Sequence, residues 1–125
     1  KPTLIESSKR TSHLCCFCSL PLFLQHNPYV HRDYRANYTW GQALQSAFQW
    51  HNETLNVWSH FLGFVLLILL LVVSMFTHLR GSALYEKVMF SIFMLGASAQ
   101  MLMSALFHLF CCIDSHVYRV MASLD

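Results

Sequence analysis

The chain has 125 residues and a net charge of +2, but only 11% of its residues are charged, whereas about 25% are charged in an ordinary globular domain. Its basic residues form no stripe interleaved with aromatic residues, so the sequence gives no support to nucleic-acid binding. Its four glycines lie too far apart for a phosphate-binding loop.

Residues 1–38 are predicted to form an irregular cytosolic tail. Three prolines interrupt this segment, and Asn27-Pro28 is a turn signal. The chain begins with Lys1 and ends inside an apolar element. We therefore expect it to be the N-terminal part of a longer protein.

Residues 39–53 are predicted to form an amphipathic helix next to the membrane. Thr39 is a suitable N-cap, and the apolar residues that follow it recur at helical spacing. Two interpretations fit such a helix. In one it lies in the membrane interface, with tryptophans at headgroup depth, and in the other it packs against the rest of the protein. The two interpretations are compatible.

Two long segments without formal charge follow. The first lies between Glu53 and Arg80 and the second between Lys87 and Asp114. Each would span roughly 39 Å as a helix, enough to cross a hydrocarbon core of about 30 Å. We predict transmembrane helices at 54–79 and 88–112, joined by a loop at 80–87. The alternative, a buried hairpin in a soluble protein, fits the length of these segments poorly.

The second span contains small residues at 96–99, which are typical of close helix packing in lipid. Residues 113–125 are predicted to form a loop and the start of a third transmembrane helix, with Asp114 as its cap. The predicted fold is thus an all-α integral membrane protein with two full spans and the start of a third.

The basic residues predict the orientation. Five Lys/Arg residues precede the first span and Arg119 follows the second, whereas the loop between the spans has only Arg80 and Lys87. This excess predicts a cytosolic N-terminus. It does not distinguish the plasma membrane from internal membranes.

His108 is the strongest candidate for chemistry. It lies about one turn before the end of the second span and shares a helix face with Ser104. An imidazole at that depth needs a hydrogen-bond partner or a metal. Asp125, Glu53 and His60 are expected in the same leaflet. From spacing alone, a polar network that fixes packing and a metal or catalytic site both remain open.

Two motifs resemble signatures of the progestin and adipoQ receptor family, which includes adiponectin receptors and haemolysin-III-related proteins. The first motif is the segment 50–64, which reads WHNETLNVWSHFLGF. The second is Ser-x-x-x-His near the end of the second span, followed by an aspartate: Ser104, His108 and Asp125. The resemblance covers residues 29–125.

The resemblance implies a seven-helix bundle with a cytosolic N-terminus and a Zn²⁺ ion held by three histidines. His108 matches one of these ligands, and the other two belong to a last helix that this chain lacks. Asp125 matches an aspartate that holds the zinc-bound water, and Ser104 matches the motif serine, so both are predicted catalytic residues. Glu53, Asn56 and His60 are predicted to form polar contacts between helices near the site.

The activity implied is signalling by a receptor that hydrolyses a lipid amide such as ceramide. The alternatives are a non-catalytic receptor with a structural zinc, or a scaffold that recruits soluble partners. The expected partners are the lipid bilayer and a sphingolipid, a steroid or a protein hormone. These 125 residues alone are expected neither to bind zinc tightly nor to catalyse.

Overall fold

The computed structural model describes residues 14–125, and the predicted tail at 1–13 lies outside the described residues. Two short 3₁₀ helices, Phe17–Ser19 and Leu22–Leu24, precede four α-helices. These are α1 (Trp40–Ser46), α2 (Thr54–Phe76), α3 (Leu84–Phe110) and α4 (Ser115–Ala122). No strand occurs among the described residues. The predicted helical fold is confirmed.

Helix α1 begins as predicted, because the Thr39 side chain accepts a hydrogen bond from the Gln42 backbone N–H. It ends at Ser46, although the sequence predicted a helix as far as residue 53. The Ser46 hydroxyl donates to the Ala43 carbonyl at 2.7 Å, a local bond that competes with continued helix. Three residues further on, the Gln49 N–H donates to the Ser46 carbonyl in a turn. The residues before α2 are therefore a compact connection rather than helix.

Helices α2 and α3 form an antiparallel pair. The start of α2 meets the end of α3, and Gly63 in α2 lies opposite Met101 in α3. No residue is buried in the most apolar stretch of α2. A soluble protein would place such a stretch in its core, so these exposed apolar faces match a lipid environment.

Helix α3 starts at Leu84, four residues before the predicted boundary. The Glu86 carboxylate accepts from the Ala83 N–H at 3.0 Å and so caps the first turn. Within the small-residue segment, Ser98 is buried. Gly96 has no neighbour within 4 Å of an added Cβ. Among the described residues, Ser98 is therefore packed against other parts of the chain, whereas Gly96 is not.

The described part of the tail, residues 14–38, is irregular but folded against the polar ends of α2 and α3. Leu20, Leu24 and Tyr34 form a small apolar core there. Tyr38 is buried, and its N–H donates to the Cys112 carbonyl at 3.2 Å. The predicted cap of the third element is also confirmed, because the Asp114 carboxylate accepts from two N–H groups at the start of α4.

Candidate functional site: a histidine–glutamate contact at the polar end of the helix pair

The centre of the site is a contact between His108 and Glu53. His108 lies in the last turn of α3, and Glu53 is the residue directly before α2. His108 Nδ1 and Glu53 Oε2 are 2.9 Å apart, and about a fifth of each side chain is exposed. The antiparallel pairing brings together two residues that are 55 positions apart in the chain.

Two asparagine amides hold the Glu53 carboxylate in place. Asn52 Nδ2 donates to Oε1 at 2.8 Å and Asn56 Nδ2 donates to Oε2 at 2.7 Å. Burial alone would raise the pKa of the Glu53 carboxyl, but the hydrogen bonds from His108 and Asn56 outweigh it, so the pKa is lowered. Glu53 is therefore a carboxylate at neutral pH.

The second histidine of the predicted network, His60, is next to the first. The rings of His60 and His108 have centroids 5.4 Å apart. Within residues 14–125, the buried Nδ1 of His60 has no hydrogen-bond partner. The structure thus brings Glu53, Asn56 and His60 to the side of His108, where the sequence predicted polar contacts.

Arg35 is a central residue of this region that the sequence interpretation missed. Its guanidinium donates to the His108 carbonyl at 2.6 Å, the Leu109 carbonyl at 3.1 Å and the Ser46 hydroxyl at 2.6 Å. Only 2% of the residue is exposed. Arg35 therefore supplies donors to the last carbonyls of α3, which no helical N–H can reach.

The interpretation of Arg35 as one of the basic residues of a cytosolic tail is incomplete. The sequence offered one indication of an unusual backbone around Arg35, because the turn-forming residues Asp33 and Asn37 lie on either side of it. Asp33 and Asn37 both have positive φ angles, 66° and 55°. Asp and Asn adopt this left-handed conformation more readily than other non-glycine residues, and here the two bends flank the inserted arginine.

His51, which lies outside the two spans, is also buried. Its Nε2 donates to the Ser46 carbonyl at 3.1 Å, while its Nδ1 accepts from the Glu53 N–H at 3.1 Å. Burial, aided by the nearby Arg35 charge, lowers the pKa of His51 from 6.5 to about 4. The ring is thus neutral and helps to fix the start of α2.

A cavity of about 160 Å³ opens beside the Glu53–His108 pair. The tail contributes one wall, the helix ends contribute the opposite one, and Tyr118 of α4 also lines it. Ser104 is buried one turn before His108, and Asp125 is exposed at the end of the chain. Neither predicted catalytic residue lines the cavity, so their catalytic roles remain predictions.

The implied zinc ion needs several donor side chains. No group of three His, Cys, Asp or Glu side chains suited to a metal occurs among residues 14–125. His108 itself is suited to be a zinc ligand. A carboxylate only accepts, so Nδ1 donates to Glu53, and in the neutral form of the ring Nε2 then carries the lone pair. Within the described chain, no hydrogen bond engages this Nε2.

Comparison with known proteins identifies the family. The haemolysin-III-related family matches residues 48–125. The chain is 31% identical over 127 residues to heptahelical transmembrane protein 1 of Arabidopsis thaliana, an alignment that covers 96% of this chain and 38% of the relative.

Two animal proteins are also similar. The chain is 30% identical to the adiponectin receptor protein of Drosophila melanogaster, over 90% of this chain and 26% of that protein. It is 34% identical to progestin and adipoQ receptor family member 3 of Mus musculus, over 89% of this chain and 35% of that protein. The chain thus spans well under half the length of these relatives. With its two apolar helices, it belongs to the haemolysin-III-related family of helical integral membrane proteins.

Proposed function

We propose that the full-length protein is a receptor-like membrane protein with a zinc site suited to the hydrolysis of a lipid amide such as ceramide. The observation that carries the proposal is the contact of His108 Nδ1 with the Glu53 carboxylate at 2.9 Å, which in the neutral ring leaves the lone pair on Nε2. The relatives named as receptors support the receptor part of the proposal.

In this proposal His108 is one of the zinc ligands, and the remaining ligands come from helices beyond this chain. Zinc, when bound, acts as a Lewis acid and makes water nucleophilic near neutral pH. Asp125 takes a proton from the attacking water and returns it to the leaving amine. Ser104, on the same face of α3 as His108, is the second predicted catalytic residue.

Hydrolysis is tested with Asp125→Asn in the full-length protein. We expect ceramide turnover to fall by about 100-fold or more, the usual contribution of general acid–base catalysis, while the zinc content stays near that of the wild type. Asp114→Asn is the matched control, because Asn caps a helix as well as Asp does. Unchanged turnover in Asp125→Asn would refute hydrolysis by this mechanism.

A structural zinc is the second candidate, and the contact between α2 and α3 through Glu53 and His108 favours it. In that case His108→Ala lowers the melting temperature and the zinc content of the full-length protein, and the wild type hydrolyses no ceramide. A wild type that turns over ceramide would exclude the purely structural role.

The proposed orientation places the N-terminus in the cytosol. Asn37-Tyr38-Thr39 is a glycosylation sequon, and Asn37 is exposed in the structure. A cytosolic Asn37 never meets the glycosylation machinery, so we expect no mobility shift after endoglycosidase treatment. A glycan at Asn37 would contradict the orientation.

A further inference from the structure

We infer that Glu53 is a positioning residue for His108, which it holds in one tautomer and one ring orientation so that Nε2 can act as a metal ligand. This inference rests on the proposed zinc site. Glu53 itself is given no contact with the metal or the substrate. Its role is exerted through the histidine.

Hydrogen bonds to both of its oxygens hold the Glu53 carboxylate. Oε1 accepts from Asn52, and Oε2 accepts from both Asn56 and His108, at distances of 2.7 to 2.9 Å. Three donors converge on one group that can only accept, as expected for an ionised carboxylate. The two amides restrict rotation of the Glu53 side chain and so fix the direction in which it accepts from the imidazole.

The Glu53 carboxylate also selects the tautomer of the neutral His108 ring. In a neutral ring only one nitrogen carries hydrogen, so a proton held at Nδ1 by Glu53 leaves Nε2 without one. Metal-binding histidines usually donate their other N–H to a carboxylate or carbonyl, which orients the ring and makes it more basic. The Glu53–His108 pair has that form.

Hydrogen bonds to buried side chains also hold the backbone at His108 and at Glu53. Arg35 holds the carbonyl of His108 at 2.6 Å, and His51 accepts from the N–H of Glu53 at 3.1 Å. Both backbones are thus fixed by buried side chains. The orientation of the His108 ring is then left to its contact with the Glu53 carboxylate.

The test uses the purified full-length protein and measures zinc affinity by competition with a chromogenic chelator. Removal of such an outer partner costs 10- to 100-fold in metal affinity, so we expect a loss of about that size in Glu53→Ala. Glu53→Gln should lose less, because its amide oxygen can still accept from Nδ1. If Glu53→Ala does not fold, Asn56→Ala, which removes one of the amides, should show a smaller loss.

Glu86→Ala is the matched control. Glu86 is likewise a glutamate at the start of a membrane-spanning helix, where its carboxylate accepts from the Ala83 N–H, but it lies at the opposite end of α3 from His108. Its substitution should leave zinc affinity unchanged. Equal losses in Glu53→Ala and Glu86→Ala would reveal general destabilisation and overturn the positioning role.

A second readout needs no metal. In metal-free protein with ¹⁵N-labelled histidine, the His108 signals should report a proton on Nδ1 in the wild type and a shift toward the Nε2-protonated tautomer in Glu53→Ala. The same tautomer in both proteins would overturn the inference. If the wild type holds no zinc but Glu53→Ala still shifts the tautomer, the proposed function is refuted and the positioning of His108 is retained.

Discussion

The middle of the α2–α3 pair and its polar end are held together by different forces. In the middle, α2 presents apolar side chains outward and packs against α3 through small contacts such as Gly63 on Met101. At the polar end, Arg35, His51 and Glu53 make directed hydrogen bonds. Apolar side chains are interchangeable in lipid, whereas buried polar groups are costly when unpaired. The comparison predicts that the polar end tolerates substitution far less than the middle.

The largest loss in the free energy of unfolding is expected from Arg35→Met. Methionine keeps much of the apolar volume but leaves the carbonyls of His108 and Leu109 without their donors. Loss of a buried charged group with several hydrogen bonds costs about 3 kcal/mol or more. Thermal unfolding of the full-length protein in detergent measures it.

Arg32→Met is the control for Arg35→Met, since Arg32 is exposed. It should change the free energy of unfolding by less than about 0.5 kcal/mol. Similar losses of unfolding free energy in the two variants would contradict the role of Arg35 as a buried hydrogen-bond donor at the polar end.

A smaller loss of stability is expected when the pH is lowered, because His51 becomes protonated. Its folded pKa of about 4 lies below the ordinary 6.5, so between these values the unfolded chain binds a proton that the folded chain does not. This contribution to stability is complete above pH 6.5 and is lost as the pH falls toward 4. Arg35 and Glu53, which face the ring with opposite charges, are both retained in the test.

The measurement for His51 is the melting temperature between pH 8 and pH 4 for wild type and His51→Gln. Glutamine does not titrate, so the variant should be less stable at pH 8 but should lose less stability on acidification. Parallel curves for the two proteins would show that His51 does not contribute to the pH dependence.

The smallest effect is expected from Gly63→Ala in the middle of the pair. An added Cβ would lie 3.3 Å from Met101 Sδ and 3.7 Å from its Cγ, both in a flexible side chain that can move. The change should stay within about 1 kcal/mol, partly because alanine favours helix. Gly63→Leu should cost about 1–3 kcal/mol by overpacking. Equal stability of the Ala and Leu variants would mean that α2 and α3 are not in close contact at Gly63.

The sequence predicted the helices better than the site. Long segments without charge require spanning helices, and the caps at Thr39 and Asp114 follow from local chemistry. The gathering of Glu53, His60 and His108 in one leaflet was also predictable. Their pairing was not, because it depends on how each helix is rotated about its own axis. The role of Arg35 was not predicted, because the burial of an arginine in the tail depends on tertiary packing and leaves no periodic pattern in the sequence.

The most direct test of the site is a double-mutant cycle between Glu53 and His108 in the metal-free, full-length protein. The variants are Glu53→Ala, His108→Ala and the pair, with the free energy of unfolding measured for each. A charge-assisted hydrogen bond that is mostly buried should give a coupling energy of about 1–3 kcal/mol. A coupling energy near zero would contradict the contact on which the positioned histidine depends.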